Sequence, residues 1–592
     1  MKHLKKALCL LLAVMMAFSS MVIYSSAASE DTTYVPDYDT ETPVIIVHGM
    51  SQNNTYLCDE NGEWATDEDG NYIYGWPLHI ELSALLKAVP ALLKSVITRR
   101  DAGLSDALYK AAHEALYVIE KDNNGEYVNN IDVPCYECPM SELSPEVKKE
   151  YYNFLPIQEL SELIGEDNVY YFGYDSLGDV VSTADRLYNY IHNVVLPQTG
   201  AKQIKICPIS LGGTVATYYL NEHPEDYSLI KKMVFVVPAI DGSNIIGDLL
   251  TNNLSVYDNE ELYSNILVAI LGETPLAYTL NIVLRILPSD VLKKALNGLV
   301  NGVVDVAALR TPILWALCPT AYYEEARTIW LENNDELSVI REKVDSYMQA
   351  RANFADNLAA LKATGAEVFD VACYDVPLFP LCKDYKTTNA DRVIHAASPA
   401  MGATFADLGT TLGDDYVAAG TYCSNPEHNH LSPDGVVDAT TGLLPCTTWY
   451  FKGQAHEQLP NNDVALELAI HAMVDDNIKD VYSNPAYPQF NNGRLTNTTN
   501  LYIKTWEEAD KSRISEEKKE AVEKAVADVK ALDEETIVDI EAWKAAEAVL
   551  GNALYAAGLI ENPNPTFIEN ALTAITKTAN RCVNKVYSVF EK

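Results

Sequence analysis

The run Ile204-Lys205-Ile206-Cys207-Pro208-Ile209-Ser210-Leu211-Gly212-Gly213 holds the side chain of greatest chemical interest. An apolar, β-branched stretch delivers a serine at a sharp turn, and small residues follow so that a helix can start close by. Such a nucleophile elbow lifts the hydroxyl clear of a sheet and aims a helix N-terminus at it. Ser210 is therefore the candidate nucleophile. The backbone N–H of Leu211 is a candidate donor to an oxyanion, with Gly212 allowing the close approach. The chemistry implied is acyl transfer. One residue departs from the pattern: Pro208 stands where Gly-x-Ser-x-Gly has its first glycine. Proline lacks an N–H and fixes φ at about −65°, which weakens the motif taken alone.

Upstream, His48-Gly49-Met50 directly follows the buried run Val44-Ile45-Ile46-Val47. This matches the other half of an oxyanion hole, with Met50 supplying a second N–H and His48 orienting the loop rather than acting as a base. Downstream come Ser432-Pro433-Asp434-Gly435-Val436-Val437-Asp438 and then Thr447-Thr448-Trp449-Tyr450-Phe451-Lys452-Gly453-Gln454-Ala455-His456-Glu457. The second segment reads as a strand opening into a loop that presents a histidine. A His-Gly loop, a Ser-x-Gly-Gly elbow, an Asp-Gly turn and a histidine after the last strand, in this order, resemble the α/β-hydrolase superfamily. The likeness is to its secreted lipases and lecithin:cholesterol acyltransferase-like members, over about residues 42–475. The resemblance implies His456 as general base and Asp434 as the acid that orients its imidazole. Asp375, just after the strand Glu367–Cys373, and Asp438 are the rival acids. Cys423, His428 and His430 lie just ahead of Asp434 and are metal-ligand types. The reading adopted is a loop tethered by a Cys423–Cys446 disulfide, with no metal and no cofactor.

Periodicity supplies the elements needed to hold these residues. Val44–Val47, Val169–Tyr174, Ile204–Cys207, Met233–Val237, Glu367–Cys373 and Thr447–Phe451 read as buried strands. Ala184, Leu187, Tyr188, Ile191 and Val195 recur at helical spacing, Gly200 closes that helix, and Gly212–Leu220 is another. Strands alternating with helices predict an α/β fold: an α/β-hydrolase parallel sheet. Between residues about 244 and 361 the sequence is helical and dense in apolar residues, predicting an inserted cap that lines an acyl channel, closes as a lid, or is a helical subdomain burying its own core. Two more helical stretches, around Ile80–Ile97 and Ala107–Ile119, occupy the long segment after the His48 loop. The hydrolase domain is expected over 29–484, a linker over 485–500, and an Ala-, Glu- and Lys-rich helical bundle over 501–592.

The chain of 592 residues is 48% hydrophobic and 21% charged, ordinary for a globular protein. With 83 acidic against 43 basic residues its net charge is −40, which repels phosphate backbones and argues against nucleic acid as a partner. Lys2, Lys5 and Lys6 precede an apolar run ending near Ile23, and Ser25-Ser26-Ala27-Ala28 follow. That is the pattern of a secretory signal peptide over 1–28, its rival being an uncleaved anchor, and it predicts an extracellular protein. Of 11 cysteines, Cys9 would leave with the leader. Export permits disulfides among the rest, although Cys207 reads as a buried thiol and Cys135-x-x-Cys138 as a local disulfide or free thiols. The expected substrate is an ester or lipid, with transient contact at a lipid interface. The C-terminal helices read as a spacer or a module docking to another partner. The alternatives are acyl transfer or amide or thioester hydrolysis on the same triad, or a binding protein on the same scaffold.

Overall fold

Seven short runs pair side by side into one parallel sheet in the computed structural model of the chain. The structure describes residues 34–67, 70–77, 87–258, 275–492, 497–509, 511, 514–533 and 540–560. The chain divides into two units, Met1–Pro36 and Asp37–Lys592. The strands are β1 (Val44–Val47), β2 (Val169–Phe172), β3 (Ile204–Pro208), β4 (Ile230–Val236), β5 (Glu367–Tyr374), β6 (Thr448–Lys452) and β7 (Phe490–Asn492). They lie in the order β7-β6-β5-β4-β3-β1-β2, and every neighbouring pair is parallel. The central strands are almost wholly buried because helices cover both faces, which is why they read as continuous apolar runs rather than alternating ones.

The helices that bear on the site are α1 (Gln158–Ile164), α2 (Val180–Tyr190), α3 (Leu211–Glu222), α4 (Ser338–Ala352), α5 (Phe354–Ala363) and α6 (Asp463–Val474). Asp179 caps α2 by accepting from the Val181 N–H. Val215 and Tyr219 of α3 share a core with Ile206, Phe235, Tyr347, Phe354 and Leu358. The later part of the span expected as a cap, α4 and α5, therefore belongs to the layer packed on the sheet. The remainder is helical over Asn244–Leu250, Pro275–Leu284, Ser289–Val306, Pro312–Ala316 and Thr320–Trp330. Ser289–Val306 crosses Leu104–Leu116 so closely that a Cβ on Gly298 would fall 2.3 Å from the Ser105 carbonyl oxygen.

Two strand lysines are fully buried near the start of the sheet. Lys205 Nζ lies 2.9 Å from the Asp39 carbonyl and 3.0 Å from its carboxylate. Lys232 donates to the Asp475 carbonyl at 2.7 Å and faces the Asp476 carboxylate at 3.3 Å. A buried ammonium survives only with such partners, and burial still pulls Lys205 down to about 8.

Some expectations need correction. Residues 490–492 form the edge strand β7 and a helix starts at Asn497, so the stretch read as a linker is partly sheet. The nine cysteines among the described residues, Cys135, Cys138, Cys423 and Cys446 included, are all free thiols. The expected leader over 1–28 and part of the Ile80–Ile97 stretch lie outside the described residues. Among the described residues no helix is long and apolar enough to cross a membrane. The helices Asn497–Glu508, Glu516–Asp533 and Ile540–Ala557 pack around Trp506, Val522, Val529, Leu550 and Leu554.

Candidate active site

Strand β3 ends at Pro208, and two residues later the backbone turns into α3. At the corner Ser210 has φ 50° and ψ −113°, a conformation that an L-residue adopts only under constraint from its surroundings. The constraint is visible. The Ser210 N–H donates to the Val236 carbonyl, and its own carbonyl accepts from Gly213 and Ala239, all at 2.9 Å. The glycines after it are sterically required: a Cβ on Gly212 would lie 2.1 Å from the Val47 carbonyl oxygen, and one on Gly213 2.5 Å from Pro238 Cβ. Pro208 fits for a related reason. The register of β3 with β4 runs from Ile204 to Ile206 and resumes only at the Ile209–Val236 bridge. Thus the missing N–H falls in a gap of the ladder.

The loop after β1 is held against this corner. His48 is fully buried, and its Nδ1–H donates to the Gly49 carbonyl at 2.7 Å while Nε2 accepts from the Tyr174 N–H at 3.2 Å. Those two bonds fix one neutral tautomer, and burial drives the imidazole down to about 4. The Tyr174 ring stacks on it at 4.0 Å, and the Tyr174 hydroxyl donates to the His48 carbonyl at 2.6 Å. Gln52 Oε1 accepts from the Gly49 N–H at 2.6 Å. A Cβ on Gly49 would lie 3.0 Å from Ser210 Cβ, so this backbone touches the serine. Met50 lines the same cavity as Ser210 and His456. Leu211 opens α3, where an N–H has no acceptor within the helix.

The structure brings Ser210 and His456 together, with His456 Nε2 at 2.9 Å from Ser210 Oγ. The carboxylate on the other side of the ring is not the expected one. His456 Nδ1 lies 2.7 Å from Oδ2 of Asp391, which is fully buried. Oδ1 of Asp391 accepts from the Val393 and Ile394 N–H groups at 3.0 and 2.7 Å, and its carbonyl accepts from the His456 N–H at 2.8 Å. Every acceptor position of this acid is aimed. Burial disfavours a charged imidazole at His456, but the Asp391 carboxylate outweighs it and raises the pKa above the ordinary value.

Asp434 is elsewhere: its carboxylate meets Lys452 Nζ at 2.9 Å, the Tyr374 hydroxyl at 3.0 Å and the Ser432 hydroxyl at 2.5 Å. Burial opposes its ionisation, but Ser432 and Lys452 hold it below the usual carboxylate range. Asp375 faces the same lysine at 3.5 Å. Asp438 accepts from the Tyr416 hydroxyl and the Ala419 and Thr440 N–H groups. All three are loop anchors. Asp391 escaped the sequence reading because no motif marks Asn389-Ala390-Asp391-Arg392-Val393. After β5 the chain leaves the sheet and returns, and the pairing of Asn389–Ala390 with Val376–Pro377, with a bridge from Val376 to Asp391, brings Asp391 back to the strand end. Its one local signal is an aspartate turning onto the amides two and three residues on, which many loop aspartates share.

Ser210 and His456 open onto a cavity of 530 Å³. Its apolar wall includes Phe154, Leu160, Ala469, Ile470 and Met473, from the end of the helix Pro145–Phe154, from α1 and from α6. Among the described residues none from the 244–361 span lines it, which corrects the expectation of a channel in the cap.

No protein-family model matches the chain, and no curated protein matches it. Among solved structures, the crystal structure of the Tle4–Tli4 complex contains a chain similar to this one over 73% of the present sequence and 97% of its own, at 13% identity and a TM-score of 0.28.

Proposed function

We propose that the chain is an exported serine hydrolase of the α/β-hydrolase type, cleaving carboxylic esters with an apolar acyl group, lipids among them. One observation carries this reading: the row from Ser210 Oγ through His456 to Asp391, with contacts of 2.9 and 2.7 Å, at a strained strand-to-helix corner. His456 Nε2 takes the Ser210 proton as Oγ attacks the ester carbonyl carbon. Asp391 keeps the other ring nitrogen protonated and stabilises the imidazolium. The N–H groups of Met50 and Leu211 receive the negative charge that grows on the carbonyl oxygen. His456 then gives its proton to the leaving alkoxide, which departs as the alcohol. Water, deprotonated by the same imidazole, attacks the acyl-enzyme and releases the acid.

The apolar wall beside Ser210 supports the preference for acyl chains, since each buried methylene gains about 0.8 kcal/mol. The test is direct. The protein should hydrolyse p-nitrophenyl acyl esters and be labelled by a fluorophosphonate on Ser210, and Ser210→Ala should lose both while remaining folded by circular dichroism. Wild-type protein that is folded yet neither labelled nor active on short and long esters would end this reading.

A further inference from the structure

Four donor atoms outside the candidate active site converge on one point. Cys423 Sγ, His428, His430 Nε2 and Cys446 Sγ each contribute one, and all four lie within 4.8 Å of one another. The two sulfurs are 3.9 Å apart. His428 Nδ1 is 3.5 Å from Cys423 Sγ and 3.7 Å from Cys446 Sγ, and His430 Nε2 is 3.5 Å from Cys446 Sγ. A disulfide needs about 2.05 Å between its sulfurs. A tetrahedral zinc, with Zn–S of about 2.3 Å and Zn–N of about 2.0 Å, sets sulfur–sulfur at about 3.8 Å and sulfur–nitrogen at about 3.5 Å. The observed contacts are those of a coordination shell, not of a bridge.

A second feature points the same way. Gln489 Nε2 donates to the Pro445 and Thr448 carbonyls at 2.7 and 3.1 Å, which fixes its Oε1 as the acceptor facing His430 Nδ1 at 2.7 Å. The proton of His430 is therefore on Nδ1, and the lone pair of Nε2 is aimed at the cluster. A metal-binding imidazole is held in this way by an outer hydrogen bond. The Tyr482 ring, 5.0 Å from His428 and 5.9 Å from His430, covers the two imidazoles.

We propose that Cys423, His428, His430 and Cys446 bind a structural Zn²⁺. The two thiols lose their protons on binding, so two thiolates neutralise the dication and two neutral imidazoles complete the shell. Four protein ligands leave no open position, which makes the site structural rather than catalytic. Its work follows from what it joins. The excursion between Phe405 and Val437 has no helix or strand of its own, and long loops of that kind need an anchor. The ion would clip it to the start of β6, whose far end leads into His456.

Full-length protein purified without chelator should carry about one zinc per chain by mass spectrometry of the metal. Cys446→Ser and His430→Gln should fall below roughly a tenth of that, while Ser210→Ala keeps it. Because those variants could misfold, wild-type protein stripped of metal under reducing conditions is titrated with Co²⁺. Tetrahedral d–d bands and thiolate-to-cobalt charge transfer, displaced by one equivalent of Zn²⁺, are expected, and removing the metal should open the 406–436 loop to protease. An intact Cys423–Cys446 disulfide in the peptide map of native protein would overturn the proposal, as would a reduced, folded protein that takes up neither ion.

Discussion

Asp391, not the Asp434 that the sequence suggests, lies against His456, and substitution separates the two carboxylates. Among the described residues the Asp391 carboxylate bonds to His456 and its own turn, so Asp391→Asn should leave the fold intact and lower kcat by about 10⁴-fold, the scale on which a triad loses its correct tautomer. Asp434→Asn should keep kcat within about two-fold, yet lower the thermal midpoint because Lys452 loses its closest carboxylate. Steady-state rates and a melting curve on each variant decide the matter, and a large rate loss at Asp434 alone would restore the original assignment. The pH profile offers a second check. Ser210 must lose its proton to a neutral imidazole, and Asp391 raises the His456 pKa above 6.5. The acid limb of kcat/KM therefore lies above 6.5, with activity falling as pH drops through it. In Asp391→Asn the residual activity should show that limb at lower pH. Ser210 and His456, which the structure brings together, were legible because each closely follows a β-branched or aromatic strand, whereas Asp391 is brought to His456 by short loop pairings that leave no periodic trace.

Among elements, the strands of the central sheet were legible wherever burial on both faces enforces a run such as Val44-Ile45-Ile46-Val47 or Met233-Val234-Phe235-Val236. The edge strand Phe490-Asn491-Asn492 was missed because two of its three residues are poor strand formers and its pairing is with β6 alone. The cap was over-extended for a different reason: α4 and α5 carry the same apolar density whether they cover a cavity or the sheet. The corner itself makes an element-scale prediction. Gly212→Ala would drive a Cβ against the Val47 carbonyl, separating α3 from β1, and should cost on the order of 3 kcal/mol by chemical denaturation. Pro208→Gly, which restores the familiar motif, should cost no more than about 1 kcal/mol, through greater freedom of the unfolded chain, and keep kcat within about two-fold. If Pro208→Gly instead abolished activity, the ladder gap would be a poor account of why proline is tolerated.

For the whole molecule, the decisive arrangement is that the cavity opens at the carboxyl ends of β1, β3 and β4 and runs between the loop ahead of α1 and helix α6. Helix α6 immediately follows the loop that carries His456, so one segment supplies both that imidazole and a wall of the cavity. Ala469 is the smallest of the α6 side chains on that wall and is itself buried. Ala469→Phe should fill the inner part of the cavity. If it displaces about three methylenes, long-chain esters lose about 2.4 kcal/mol, or roughly fifty-fold in kcat/KM. An acetyl ester reaches only the mouth, so its kcat/KM should stay within about two-fold, because Ser210, His456 and Asp391 are untouched. A series of p-nitrophenyl esters from acetate to decanoate reads this as a break in chain-length dependence. Equal losses on short and long esters would mean that the substitution disturbed His456 through α6. An unchanged series would place the acyl chain elsewhere, against the helices of the 244–361 span, and would return to the cap the role that the cavity lining takes from it.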